Sequence, residues 1–267
     1  IILGQELDVL ELEDRIQNQV QQEVDKTQRE YYLREQMRAI QTELGEEDEN
    51  QRELGDLRQK LIKAGLPEAV RLKAAHPAIE ITAVSMGPPQ AQSALMRCLE
   101  LGADRAILVS DRQFAGADTW ATALTLAAVV RAALPDADLI LVGKQAIDGD
   151  TAQVGPEIAE ILGMAQIMYG VEMSLTPNRK RIRVKREVES GYEVLEARLP
   201  ALVSASKGET LRRMPSLADV VGARRKELRT VTAADLDLSE AELGLAGSYT
   251  QVVKVFPPSP STLDRVT

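Results

Sequence analysis

The chain has a single cysteine, Cys98, and a single histidine, His76, among its 267 residues. One cysteine excludes an internal disulfide and any cysteine-cluster metal site. One histidine leaves no poly-histidine metal site and only one possible member of a histidine-based triad. No catalytic cluster and no metal site is therefore expected. Aromatics make up only 3% of residues against a hydrophobic content of 44%, so the core must be built from Leu, Val, Ile and Ala. No apolar run approaches the roughly 20 residues that a membrane span needs. The first residues also lack the basic start and small-residue cleavage site of a secretory signal. These absences predict a cytoplasmic address or an equivalent reducing compartment.

Excess positive charge is missing as well. The net charge is −9, and residues 1–60 hold 16 acidic and 8 basic side chains, a net of −8. The rest of the chain is close to neutral. Phosphate contacts along a nucleic acid need a basic surface, so nucleic-acid binding is disfavoured. The asymmetry points to two modules.

In the first module, the stretch from Leu7 to Leu44 contains neither proline nor glycine. Leu12, Ile16, Val20 and Val24, then Leu33, Met37, Ile40 and Leu44, recur in steps that align them on one helix face. The acidic run after Gly45 breaks that helix. A second follows through Leu54, Leu57, Leu61 and Ile62 and is expected to close at Gly65, with Pro67 just beyond. A coiled-coil hairpin, residues 1–69, is the expectation. Residues 70–267 form the second module.

From Ile79 the texture changes. "IEITAVSM", "RAILVS" and "ADLILVG" read as strands. They alternate with helices in "PQAQSALMRCLELGA", "DTWATALTLAAVVRAAL" and "QVGPEIAEILG". That alternation predicts an α/β fold with a parallel sheet. "KRIRVKREV" and "YEVLEARL" flank "ESG" as an antiparallel hairpin, "ALVSAS" adds a strand, and a helix is expected near Leu217–Leu228. In such sheets ligands collect at the carboxyl ends of the strands, where "SMGP", "SDRQFAGAD" and "GKQAIDGDT" fall.

The last of these loops joins a strand to a helix and carries Asp148 and Asp150, which should repel a phosphate. Two readings stay level on chemistry alone. Either both aspartates are turn and cap formers, or the loop binds a nucleotide. In the second case Gly143 and Gly149 allow close backbone approach, and the amides opening the helix meet phosphate oxygens. Thr151 and Gln153 then donate to phosphate, Gln145 reaches a ribose or base edge, and Asp150 caps the helix. Elsewhere, Asp118 reads as an N-cap, with Thr119 beside it, and Trp120 as packing. Cys98 reads as a buried thiol, His76 as a surface loop residue, and "NRKRIRVKRE" as a solvated strand face.

Two resemblances carry the reading further. "RIQNQVQQEVDKTQREYYLREQMRAIQTELGEEDE" with "LRQKLIKAGLPEAV" resembles the helical N-terminal region of the ATP-dependent protease Lon, over about residues 6–70. Neither a GxxxxGK[ST] loop nor a Ser–Lys protease site follows, so ATP-dependent proteolysis is not expected. "AVRLKAAHP", "ITAVSMGP", "GADRAILVSD", "FAGADT", "GKQAIDGDTAQVGPEIAE", "LPALVSASKGE" and "GSYTQVVKVFPP" resemble the electron transfer flavoprotein beta subunit, over about residues 68–258. The "DGD" and "AQVGPE" forms look closer to its electron-bifurcating branch.

The second resemblance implies a sheet of the Rossmann-like, adenine nucleotide alpha hydrolase-like type with an antiparallel extension. It implies that Gly143, Lys144, Gln145, Ala146, Ile147, Asp148, Gly149, Asp150, Thr151, Ala152, Gln153 and Val154 form the loop for AMP or a second FAD, with Met86 as a further contact. It implies FAD bound jointly with an alpha-type subunit, a C-terminal tail that wraps this partner, and docking to an acyl-CoA or other dehydrogenase. Two departures stand out. The family's first strand is replaced by the helical module, and the docking loop reads "GETLRRMPS", with only Arg213 of the usual motif retained. A chimera joined within "GLPEAVRLKA" is the expectation. The alternative function is a structural or interaction protein, in which the arm drives oligomerisation or substrate binding and the α/β part is non-functional.

Overall fold

A computed structural model describes residues 66–146, 150–206 and 214–253. The expected coiled-coil hairpin, most of the docking loop and the "FPPSPS" tail lie outside these residues.

Helix α1, Leu66–Ala75, opens the described chain. Pro67 sits in the first turn of Leu66–Ala75, where a missing N–H costs little. Strand β1 (Thr82–Met86), α2 (Gln92–Leu101), β2 (Arg105–Val109), α3 (Thr119–Ala133), β3 (Leu139–Gly143) and α4 (Val154–Leu162) follow in strict alternation. This is the expected α/β pattern. Gly163 ends α4 in the left-handed conformation, φ 66°, which glycine adopts without a Cβ clash.

The second half is richer in strand than its sequence suggested. The hairpin β5 (Arg181–Val188) and β6 (Gly191–Arg198) and the strand β7 (Ala201–Ala205) stand where expected, but they are preceded by an eleven-residue strand, β4 (Ala165–Leu175). The expected helix near Leu217–Leu228 is shorter. Helix α5 spans Leu217–Ala223, capped by Ser216 and Asp219, and Leu228 instead begins strand β8 (Leu228–Val231). Thr230 and Val231 are β-branched and pair with β2, which favours strand over helix.

The strands form two sheets. One has the order β1-β2-β8 and is parallel throughout. The other has the order β3-β7-β4-β5-β6, parallel from β3 to β4 and antiparallel from β4 to β6. Helix α2 seats Leu95, Cys98 and Leu99 against Ala106 and Leu108 of β2. Helix α3 serves both sheets. Its Leu126 packs on the Val109–Val129–Val231 cluster of the first and on the Ile158–Leu202 cluster of the second. Asp104 ties α1 to the start of β2, accepting from Lys73 at 2.5 Å and from the Ile81 amide at 2.8 Å. No helix among the described residues is long and apolar enough to cross a membrane.

Candidate nucleotide site

Strand β3 and helix α4 position the loop. All five residues of β3 are apolar, and the chain leaves it at Gly143. Helix α4 returns close against the same strand. A Cβ on Gly155 would stand 2.9 Å from Val142 Cγ2, so only glycine permits this approach. Pro156 lies in the first turn of α4.

Between them, Gln145 donates its amide to the Asp150 carboxylate, and the Asp150 amide donates to the Ala146 carbonyl at 2.9 Å. Asp150 and Ala152 both lie in the left-handed region, φ 50° and 55°. Such residues are costly in that conformation and mark a tightly held turn. The expectation that Asp150 caps the helix is corrected here. Gln153 occupies the cap position of α4 and makes no side-chain cap bond, while the Asp150 carboxylate is engaged by Gln145 within the loop. The opening amides of α4 thus have no side-chain cap, although Glu157 brings a carboxylate into the same first turn. Ile147, Asp148 and Gly149 lie outside the described residues.

The turn before α3 meets this loop. Asp118 caps α3, accepting from the Ala121 amide at 3.0 Å, as expected. Thr119 reaches across with its hydroxyl 3.4 Å from Gln153 Oε1 and 3.3 Å from Glu157 Oε1. Glu157 Oε2 is buried with no partner. Burial pushes the Glu157 carboxyl above its ordinary range, against the pull of the Thr119 hydroxyl, and the nearby Asp118 adds to the rise. Asp118 moves the other way. Burial pushes it up, but hydrogen bonds from Ala121, Thr250 and Tyr249 outweigh that and hold it below the usual range.

Met86, the remaining predicted contact, ends β1 at the edge of the other sheet and packs with the Val109–Val231 cluster. Of the other sequence candidates, Cys98 is buried, and burial lifts its thiol pKa to about 11. Trp120 packs against Tyr249 with ring centres 5.9 Å apart. His76 follows α1, half-buried. The basic face of β5 pairs with Glu196 and Glu193 of β6.

Sequence reasoning missed Tyr169 in β4. Its ring lies under the Lys144 ammonium, 5.2 Å from the nitrogen to the ring centre. The only signal was an aromatic residue directly before a glycine in "MYG". Among the described residues no group of acidic, histidine or cysteine side chains is arranged to hold a metal ion.

Together these elements define an α/β protein with parallel strands and helices, in which the β3–α4 loop lies at the carboxyl end of a parallel strand. The model of the electron transfer flavoprotein domain matches residues 60–236. The electron transfer flavoprotein subunit beta of Clostridium acetobutylicum is 46% identical over 192 residues, 72% of each chain. Protein FixA of Azotobacter vinelandii is 46% identical over 200 residues, 73% of this chain and 70% of its own. The caffeyl-CoA reductase-Etf complex subunit CarD of Acetobacterium woodii is 42% identical over 193 residues, 72% of each. The chain belongs to the electron transfer flavoprotein family, and several of its relatives are named as the beta subunit of that flavoprotein.

Proposed function

We propose that this beta-type chain takes part in electron transfer by holding AMP or a second FAD in the loop Gly143–Val154. It would also help an alpha-type partner bind FAD. Met86 is the further contact assigned to the loop's nucleotide. One observation carries the reading: the β3–α4 turn combines a forced close approach at Gly155, two left-handed residues and an uncapped helix start within a family match that spans it. The residues fit such a group. Backbone amides at the start of α4 meet phosphate, Lys144 supplies the one positive charge of the loop, and Gln145 holds Asp150 turned into the loop. FAD, when bound, accepts electrons and passes them on; the protein's part is to bind, orient and shield it. Reduction by an acyl-CoA or other dehydrogenase in the cytoplasm completes the proposal.

The domain organisation belongs to the same proposal. Residues 1–69 would be a Lon-like coiled-coil arm and residues 70–267 the flavoprotein module, joined as a chimera. The rival reading, an arm-driven interaction protein with a non-functional α/β part, draws on one feature. Strands β1 and β3 are half-exposed along their whole length, and each has one strand neighbour among the described residues. An absent first strand would leave such edges.

The test is the nucleotide content of the purified full chain, alone and co-expressed with an alpha-type subunit. Nucleotide in the wild type and its loss in Gly149→Trp are expected. Unchanged content in that variant would remove the loop assignment. Arm-driven oligomers without nucleotide or flavin would favour the rival.

A further inference from the structure

The nucleotide loop has an electrostatic problem. Gly143–Val154 contains Asp148 and Asp150 and, as its sole cation, Lys144. A phosphate in this loop depends on where that ammonium is held, because lysine is a mobile point charge on a long stem.

Strand β4 is built to hold it. Between Ile167, paired with Val203, and Gly170, paired with Ala205, β4 advances three residues while β7 advances two. That extra residue is a bulge, a device that re-aims a side chain. Gly170 takes the inward position, where a Cβ would stand 2.8 Å from Val184 Cγ1 and 3.3 Å from Val203 Cγ1. Tyr169 is turned outward with φ 65°, a conformation costly for a bulky residue. Its amide donates to Ser204 Oγ at 2.8 Å, and Ser204 is itself buried in the interior strand β7. Strain persists where the surroundings over-determine it. Here the result is an exposed aromatic ring placed under Lys144.

We propose that Tyr169 is a positioning residue for nucleotide binding, its ring holding the Lys144 ammonium just beyond the end of β3 to meet the phosphate of an adenine nucleotide. This rests on the nucleotide reading above. The β4 bulge, Ser204 and Gly170 then serve the site from outside the loop.

Calorimetric titration of the full chain with AMP and with adenosine separates the parts. Tyr169→Leu should weaken AMP about two- to fivefold, the range of a partly exposed cation–π contact, and leave adenosine unchanged. Tyr169→Phe, which keeps the ring, should restore AMP affinity. Tyr169→Gly removes ring and backbone strain together, so it folds at least as well as wild type and should show the same loss. In a Lys144→Met background, Tyr169→Leu should have no further effect. An equal loss for adenosine would overturn the inference, because the ring would then be acting on the base. So would unchanged AMP affinity in Tyr169→Leu while the wild type binds AMP; the loop assignment would survive that result. A wild type that binds neither compound would remove the loop assignment and the inference with it.

Discussion

In the three-stranded sheet every strand pair is parallel, and β2 is buried at four of its five residues. In the five-stranded sheet β7 is buried at all five, whereas β6 buries Ala197 alone and leaves six of its eight residues exposed. Parallel strands are covered by helices on both faces, and antiparallel ones can keep one face to solvent. Strands β1 and β3 break this rule. Both are largely apolar and parallel to a neighbour, yet every residue is only half-buried. Among the described residues each has a single strand neighbour, on one side, so position in the sheet decides burial where residue type does not.

The largest expected effect tests that contrast directly. Leu202, the second residue of β7, is fully buried in one cluster with Ile158, Ala159 and Ala123. Leu202→Ala should cost about 3 kcal/mol in urea denaturation, from lost transfer free energy and the cavity left behind. Val84→Ala in the half-exposed strand β1 should cost about 1 kcal/mol or less, because its site opens to solvent. Equal costs would mean that the β1 edge is covered as fully as β7 in the folded chain.

The next effect concerns the helix that serves both sheets. Asp118 caps α3 and also accepts from the Thr250 amide at 2.9 Å and its hydroxyl at 3.1 Å, pinning the C-terminal segment across the sequence. Asp118→Ala should cost about 1–2 kcal/mol as a lost cap and speed proteolysis beside exposed Tyr249. Because the folded carboxyl lies below its ordinary value of 3.8, its contribution is present above that pH and disappears as the pH falls through the lower folded value. A variant that matches wild type in its proteolysis rate at neutral pH would show that other contacts hold the segment.

What the sequence revealed follows from the same contrast. β2 and β7 were legible because continuous apolar runs such as "RAILV" and "ALVSA" suit strands covered on both faces. The β5–β6 hairpin was legible from its turn. Strand β4 was not, because the bulge at Tyr169 interrupts its alternation and the strand changes from parallel to antiparallel pairing along its length. β8 was hidden because "LRTV" is short and sits beside charged residues. At the site, the turn from β3 into α4 and the Asp118 cap were legible from local chemistry. Asp150 was misassigned, because its engagement by Gln145 depends on the path of the loop and not on spacing to the helix. Tyr169 was invisible for a related reason: its proposed role depends on a register shift against β7, more than thirty residues away.

The smallest effect lies where α3 and α4 meet. Glu157 brings a carboxylate into the first turn of α4, where the helix dipole favours it by roughly 0.3–1 kcal/mol. Against that, Oε2 is buried without a partner, and burial raises the folded pKa above the ordinary 4.5. A raised folded pKa means that the folded state holds its proton more tightly than the unfolded one. Stability is then greatest below 4.5 and falls as the pH rises through the unfolded and then the folded value. At neutral pH the cost is fully present. Glu157→Gln keeps an oxygen for the Thr119 hydroxyl and removes the buried charge. If burial outweighs the dipole, the variant melts about one to two degrees above wild type at neutral pH, and the gap closes below pH 4.5. A variant that melts lower at neutral pH would reverse that order, with the dipole at the start of α4 stronger than the burial cost. The uncapped amides beside the nucleotide loop would then be a stronger anion site than the geometry alone implies.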